Sequence, residues 1–139
     1  MISQIRQSRQ RILVADDDPV IRHMVTSILR SDGHEAVEVC NGLEAFRILL
    51  RDSDFKAAIF DKMMPHLGGL DVVRQMRREK RLMRIPVIMV TSENDLKLMK
   101  ESFDAGVTVF LPKPFTPALL QTMLQSILVS SQRAPILQN

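Results

Sequence analysis

Short apolar runs alternate with segments of helical periodicity along most of this chain, and Gly, Pro or Asn marks many of the transitions. The short runs predict strands over residues 11–15, 35–39, 56–60, 87–90 and 107–111. Apolar residues recurring every three or four positions predict helices over residues 20–30, 43–51, 70–80, 95–104 and 117–129. Five alternations of strand and helix predict an α/β fold, with a parallel five-stranded sheet covered by helices on both faces.

The patterns within single elements refine this prediction. Residues 35–39 alternate charged and apolar side chains, which is typical of a strand near a sheet edge, whereas residues 87–90 are apolar throughout and indicate a central strand. Asp-Pro and Thr-Pro pairs at 18–19 and 116–117 predict helix starts, and Asn94 is a further candidate cap. The positions predicted to face the core include Val20 in the first helix and Leu43 and Leu50 in the second.

Composition restricts the class of protein. The chain has 139 residues, the size of one domain, and we divide it into a flexible basic leader (1–10), a domain (11–129) and a polar tail (130–139). One cysteine excludes an internal disulfide, and no apolar run is long enough to cross a bilayer, so we expect a cytoplasmic protein without membrane contact. A formal charge of +3 is too small to indicate a nucleic-acid partner.

Polar residues that could take part in catalysis or binding follow four of the predicted strands: Asp16-Asp17, Asp61, Thr91 and Lys113. The carboxyl ends of parallel strands lie along one edge of a doubly wound sheet, so these segments should converge there. Three carboxylates about 5 Å apart would repel one another by roughly 3 kcal/mol per pair. Magnesium would relieve this repulsion, because it prefers hard oxygen ligands.

The same residues suggest phosphoryl transfer. An ionised Asp61 could act as the nucleophile without a general base, while Lys113 neutralises a phosphoryl oxygen and the Thr91 hydroxyl bonds another. Asp61 ends a buried strand, and Pro65 with Gly68-Gly69 turns the chain directly after it. A carboxylate at this point is unfavourable for a core and useful for chemistry.

Five separated segments, in this order, resemble the receiver domain of two-component response regulators, closest in layout to the single-domain chemotaxis type. The resemblance spans roughly residues 11–129. The matching pieces are Ile12-Leu13-Val14-Ala15-Asp16-Asp17-Asp18, Asp61-Lys62-Met63-Met64-Pro65, Gly68-Gly69, Val90-Thr91-Ser92 and Phe110-Leu111-Pro112-Lys113-Pro114-Phe115.

The resemblance implies a flavodoxin-like fold with strand order 2-1-3-4-5 and a cis peptide at Lys113-Pro114. It implies that Asp61 accepts a phosphoryl group from a histidine kinase or a histidine phosphotransfer protein, and that the protein catalyses only its own phosphorylation and dephosphorylation. The implied residue roles are a magnesium site of Asp16, Asp17, Asp61 and the Met63 backbone carbonyl, phosphoryl contacts from Thr91 and Lys113, and a switch of Thr91 and Phe110.

The expected output follows from this switch. Phosphorylation would change the surface of residues 94–129, which would then bind an unknown output protein or form a homodimer. Since no further domain follows residue 129 in this sequence, we expect a stand-alone regulator that acts through binding. Met63 stands where many relatives carry a polar side chain, and we hypothesise that Met63 and Glu93 alter water access to the phosphoryl group.

Other interpretations explain less of the sequence. A receiver-like module that acts without phosphorylation remains the main alternative. A haloacid-dehalogenase-like hydrolase would need a second Asp two residues after the nucleophile, where Met63 stands. A flavodoxin-like flavin carrier would need a loop rich in Ser, Thr and Gly after the first strand, where this chain has acids.

The remaining polar features favour structural explanations. Residues 74–84 hold six basic residues, which we interpret as a solvated helix face, although an acidic partner or nucleic acid is an alternative. His23, His34 and His66 share no metal-ligand spacing and are predicted at the surface or its boundary. Cys40 is interpreted as a packing residue.

Overall fold

The computed structural model describes residues 9–93 and 96–133. Most of the predicted leader, the Asn94 cap and the end of the predicted tail lie outside these residues. Five strands alternate with five helices: β1 (Arg11–Ala15), α1 (Pro19–Ser31), β2 (Glu35–Val39), α2 (Gly42–Arg51), β3 (Ala57–Asp61), α3 (Gly69–Met76), β4 (Val87–Thr91), α4 (Leu96–Ala105), β5 (Val109–Pro112) and α5 (Pro117–Arg133).

The strands form one parallel sheet in the order β2-β1-β3-β4-β5, which confirms the predicted fold class and strand order. The half-polar β2 lies at one edge, and the fully buried β3 and β4 are central. The Lys113-Pro114 peptide is cis, as expected.

Alternate residues of the strands build two separate cores. Ala58 and Phe60 of β3 face one core, together with apolar residues of α2, α3 and α4. Ala57 and Ile59 face the other core, which α1 and α5 cover. Because both faces of the sheet are covered, the strands can be apolar at almost every position.

Local capping fixes several helix starts. The Asp18 side chain accepts a hydrogen bond from the Val20 N–H (2.9 Å), and Pro19 occupies the first turn, as predicted. The Thr116 hydroxyl accepts one from the Leu119 N–H (3.1 Å), which confirms the second predicted pair. The Asn41 side chain caps α2 by accepting a hydrogen bond from the Glu44 N–H (2.8 Å).

Three predicted boundaries were wrong. Helix α3 ends at Met76 rather than near residue 80, because the backbone changes to the i→i+3 hydrogen bonds of turns over residues 77–84, for example from the Glu79 N–H to the Met76 carbonyl. Strand β5 begins at Val109, two residues later than predicted. Helix α5 continues to Arg133, so the first residues assigned to the tail are helical.

Several predicted burial assignments were also wrong. Val20 is 73% exposed, because it lies in the first turn of α1 and contributes to neither core. In α2, Leu43 and Leu50 are each 37% exposed, whereas Gly42, Ala45 and Leu49 are buried. Gly42 explains why α2 presents this face to the core. A β-carbon at position 42 would meet the Leu67 carbonyl, so only glycine lets α2 pack this closely against the loop that contains Leu67.

His34 and Cys40 differ from their predicted environments as well. His34 is buried, with 4% of its surface exposed. It lies just before β2, where its Nδ1 accepts a hydrogen bond from the N–H of Gln10, the residue before β1 (3.2 Å). Cys40 is exposed rather than packed, since it follows the edge strand β2. Among the described residues, no helix combines the length and apolarity needed to cross a membrane.

Candidate functional site

Three carboxylates meet at the carboxyl edge of the sheet. Asp61 is the last residue of β3, and Asp16 directly follows β1, the neighbouring strand. Ala15 pairs with Phe60, so the next residue on each strand brings the two acids side by side. With the exposed Asp17, they offer carboxylate oxygens that lie within 4.8 Å of one another.

Thr91 and Lys113 complete the site from the other side. Thr91 ends β4 beside Asp61, and Lys113 follows the edge strand β5. The Lys113 Nζ lies 3.0 Å from Asp61 Oδ1, and the Lys113 N–H donates to the Thr91 carbonyl (2.7 Å). The structure thus brings together all five side chains that the sequence singled out for chemistry.

The site is largely closed to solvent. Asp61 is 7% exposed and Thr91 2% exposed, whereas Asp17 lies at the mouth. Burial raises the pKa of Asp16 to about 6; a hydrogen bond from the Asp18 N–H opposes this rise, and the Asp61 charge adds to it. Burial also raises the pKa of Asp61, and the hydrogen bond and charge of Lys113 oppose that shift. Desolvation therefore disfavours the charged forms of both carboxylates.

The donor set fits a hard divalent cation. Three carboxylates face one ammonium group, so the cluster keeps two uncompensated negative charges when all four groups are ionised. Oxygen donors in this number suit magnesium. The Met63 carbonyl oxygen accepts no hydrogen bond from any described residue and could serve as a further ligand, while the Met63 side chain is 65% exposed.

Glycine allows the loop after β3 to return to Asp61. The Gly69 N–H donates to the Lys62 carbonyl (3.0 Å), and α3 begins at this glycine. A β-carbon on Gly69 would lie 2.4 Å from the Asp61 carbonyl oxygen and 3.0 Å from the Met89 sulfur. Gly69 is therefore needed for close packing against the site, which goes beyond the turn predicted from sequence.

Two charged contacts around the site were not anticipated. The Arg22 guanidinium donates to the Asp16 carbonyl (2.7 Å) and to Glu38 (3.2 Å), so helix α1 holds the backbone of the acidic loop. Lys62 Nζ bonds Glu93 Oε1 (2.8 Å), which joins the loops that follow β3 and β4. In the sequence, the only sign of the Lys62–Glu93 pair is that residues of opposite charge follow β3 and β4. This sign predicts a contact only when the two strands are known to be neighbours.

The two switch candidates occupy neighbouring strands. The Thr91 hydroxyl accepts a hydrogen bond from the Glu93 N–H (3.0 Å). Phe110 lies in β5 opposite Met89 and is buried in the core that α2, α3 and α4 cover. The switching role itself stays a prediction.

Comparisons with known proteins agree with this geometry. The sequence profile of the family described as response regulator receiver domain matches residues 12–125. A chemotaxis protein CheY homolog of Campylobacter jejuni is 36% identical over 119 residues, covering 85% of this chain and 92% of that protein. Chemotaxis protein CheY1 of Helicobacter pylori is also 36% identical, with 85% and 96% covered.

Solved structures show the same fold. The receiver domain of sensor histidine kinase PA1611 from Pseudomonas aeruginosa, with a magnesium ion coordinated in its active-site cleft, is 31% identical with a TM-score of 0.81, covering 88% of this chain and 100% of that one. Chemotaxis response regulator CheY4 of Vibrio cholerae is 30% identical with a TM-score of 0.81, covering 86% and 99%.

Proposed function

Because the chain belongs to the response regulator receiver domain family, we propose that it takes a phosphoryl group onto Asp61 in a magnesium-dependent reaction. The donor would be the phosphohistidine of a histidine kinase or phosphotransfer protein. The observation that carries this proposal is the position of the Asp61 carboxylate, among two further acids and 3.0 Å from the Lys113 ammonium.

The side chains of the site have distinct roles in this reaction. An Asp61 carboxylate oxygen attacks the phosphorus while the phosphorus–nitrogen bond breaks, and the electron pair of that bond stays with the imidazole, which takes up a proton. Lys113 neutralises charge on a phosphoryl oxygen, and the Thr91 hydroxyl donates to another. Thr91 is well placed for this, because β4 runs directly beside β3.

Asp16, Asp17, Asp61 and the Met63 carbonyl would hold the magnesium ion. When bound, the ion supplies charge neutralisation for the carboxylates and the phosphoryl oxygens. Arg22 holds the main chain of Asp16 through its carbonyl (2.7 Å), so this contact leaves the Asp16 carboxylate free for the ion.

The proposed output is altered binding rather than turnover of another substrate. The added phosphoryl charge would draw the Thr91 hydroxyl toward Asp61, and Phe110 would change position in turn. The surface of residues 94–129 would then present a different face to an output protein or to a second copy of the chain. Leu96 and Phe103 of α4 are exposed apolar side chains on this surface. The cytoplasm is the proposed site of action.

The test uses acetyl phosphate as a small phosphodonor, with and without Mg²⁺, followed by intact mass measurement. We expect a gain of about 80 Da, the mass of one phosphoryl group, only when Mg²⁺ is present. The gain should disappear in Asp61→Asn and persist in Asp71→Asn, which changes an exposed acid on α3. A parent protein that gains no mass would instead support the alternative of a phosphorylation-independent interaction module.

A further inference from the structure

The positive charge of the molecule is concentrated in two segments far apart in sequence. Residues 42–51 and 77–84 hold seven Lys and Arg residues against two Glu, a net charge of +5, whereas the whole chain carries +3. The rest of the chain is therefore net negative. A local excess of this kind attracts negatively charged partners.

The fold places the two segments together. The Arg77 guanidinium donates to the carbonyls of Gly106 (2.7 Å), Ile85 (2.9 Å) and Met83 (3.0 Å), which fixes the turns over residues 77–84. The Arg81 Nη2 donates to the Leu50 carbonyl (3.0 Å), which attaches the turns to the last turn of α2. The 77–84 turns and the end of α2, which carries Arg47 and Arg51, thus lie on neighbouring parts of the surface.

A cleft adjoins this surface, with a volume of about 620 Å³. Its apolar lining comes from Val39, Ile48 and Leu50, and its charged lining from Glu44, Arg47 and Arg51. Arg47 and Arg51 are four residues apart and so lie on the same side of α2. We call this cleft, together with Arg78, Lys80, Arg81 and Arg84, the basic cleft.

Apart from Arg81, the cations of the basic cleft are not used to stabilise the fold. Arg47, Arg51, Arg78, Lys80 and Arg84 are exposed, and within the described part of the chain their side chains form no hydrogen bond or ion pair. Other surface cations are paired: Arg74 bonds Asp71 and Glu101, and Lys100 bonds Asp104. Unpaired cations around an apolar cleft can neutralise an incoming acidic chain without losing internal contacts.

We propose that the basic cleft binds an acidic amphipathic segment of a partner protein, with aliphatic side chains in the cleft and carboxylates on its arginines. Nucleic acid fits less well, because the cleft is lined by aliphatic groups and offers no aromatic side chain for base stacking. A bilayer surface also fits less well, because only three apolar residues, Val39, Ile48 and Leu50, line the cleft, which is too few for an apolar face that inserts among lipids.

The 77–84 side of the basic cleft lies away from Asp61. The 77–84 turns lead into the start of β4 and contact the C-terminal end of α2, whereas Asp61 lies at the carboxyl end of β3. The other side of the cleft reaches Val39, at the carboxyl end of β2. None of the residues that line the cleft belongs to the candidate phosphorylation site. The proposal is therefore independent of the proposed function, and Asp61→Asn should bind the segment as tightly as the parent.

The test measures fluorescence anisotropy of a fluorescein-labelled peptide built from Leu-Glu-Glu-Leu-Leu-Glu-Glu repeats, titrated with the full chain at low and high salt. We expect saturable binding that weakens with salt, and a loss of about tenfold or more in the R47E/R51E double variant. Leu50→Ser should also weaken peptide binding, since Leu50 lines the cleft but is partly exposed and tolerates the change.

The matched control is K97E/K100E, which makes the same change in net charge on α4. It should retain binding within about twofold of the parent, and thermal melting should show that every variant is folded. Absence of peptide binding, or an equal loss in K97E/K100E, would overturn the proposal and leave a solvated charged face. Tighter binding to duplex DNA or to phosphatidylserine vesicles, sensitive to R47E/R51E but not to Leu50→Ser, would overturn the assignment to an acidic protein segment.

Discussion

At the scale of single residues, Gly69 controls how closely the loop after β3 approaches Asp61. A β-carbon at this position would lie 2.4 Å from the Asp61 carbonyl oxygen, so the backbone of one of them must shift. We expect Gly69→Ala to lower the free energy of unfolding by about 1–3 kcal/mol, as overpacking does, and to slow phosphorylation of Asp61 by acetyl phosphate. Urea unfolding and intact mass measure the two effects.

Gly68 provides the control for this substitution. A β-carbon there would lie 3.2 Å from the Lys62 carbonyl oxygen, which a small adjustment can accommodate. Gly68→Ala should therefore cost less than about 1 kcal/mol and leave the phosphorylation rate close to that of the parent. Equal losses in the two variants would show that glycine flexibility, and not the contact with Asp61, is what matters.

His34 should make the stability of the domain depend on pH. Burial lowers the pKa of His34 below the 6.5 of a free side chain, although the nearby Asp32 opposes the shift, and the neutral Nδ1 accepts the Gln10 N–H. Since the unfolded chain binds the proton more readily, the free energy of unfolding should be at its full value above pH 6.5. It should fall as the pH drops from there to the folded-state pKa.

Urea unfolding of the parent and of His34→Asn, measured without metal at several pH values, isolates this effect. The asparagine side chain can still accept the Gln10 N–H but does not titrate. The carboxylates of the site titrate in both proteins and cancel in the difference. We expect the parent to lose stability relative to the variant as the pH falls below 6.5, and parallel curves would contradict the role assigned to His34.

At the scale of elements, the sequence predicted every strand and helix, because each carries a periodic pattern and most are bounded by capping or turn residues. The errors in helix boundaries occur where contacts between residues far apart in sequence determine the backbone path. Residues 77–84 are rich in helix-forming charged residues and contain no Gly or Pro, so nothing local ends α3. The residue after the end of α3, Arg77, bonds the carbonyl of Gly106, 29 positions later, and no local pattern contains this contact.

Arg77 should therefore stabilise several connections at once. Its guanidinium donates to the carbonyls of Gly106, Ile85 and Met83, and burial lowers its pKa below the usual value, which indicates a desolvated cation. Arg77→Met keeps much of the volume but leaves these carbonyls without a donor. We expect a loss of about 2–3 kcal/mol in the free energy of unfolding, measured in urea.

Arg78 is the matched control for Arg77. It is the next residue, is exposed, and forms no side-chain hydrogen bond with the described residues, so Arg78→Met should change stability by less than about 0.5 kcal/mol. If Arg77→Met were as mild as Arg78→Met, water would replace the guanidinium without cost, and the turns over residues 77–84 would need another explanation.

At the scale of the whole molecule, the candidate site was predictable because parallel topology alone brings the strand ends together. Asp16, Asp61, Thr91 and Lys113 could be placed at one edge without knowing any side-chain geometry. The supporting contacts could not be predicted, since the bonds from Arg22 to Asp16 and from Lys62 to Glu93 depend on rotamers and loop paths. Sequence thus locates the chemistry, and the structure is needed to show what holds it in place.

The crowding of carboxylates predicts that removing one negative charge stabilises the metal-free domain, whereas it weakens the stabilisation that magnesium gives. The Asp17 charge raises the pKa of Asp61, which means that the negative charges repel one another in the folded state. Without metal, Asp17→Asn should therefore be at least as stable as the parent. Magnesium at about 100 times its dissociation constant should add about 2.7 kcal/mol to the parent, because it binds only the folded chain.

Asp17→Asn should gain much less from magnesium, since it loses one of three clustered carboxylates, so the order of stability of the two proteins should reverse when the metal is added. Thermal melting in EDTA and in Mg²⁺ measures this reversal, and Asp54→Asn, which changes an exposed acid outside the cluster, should behave like the parent. An Asp17→Asn protein that gains as much as the parent would mean that the ion is held without Asp17. If magnesium did not raise the melting temperature of the parent, the three carboxylates would not share a metal. Their repulsion would then be offset only by the charge of Lys113 and by protonation of Asp16.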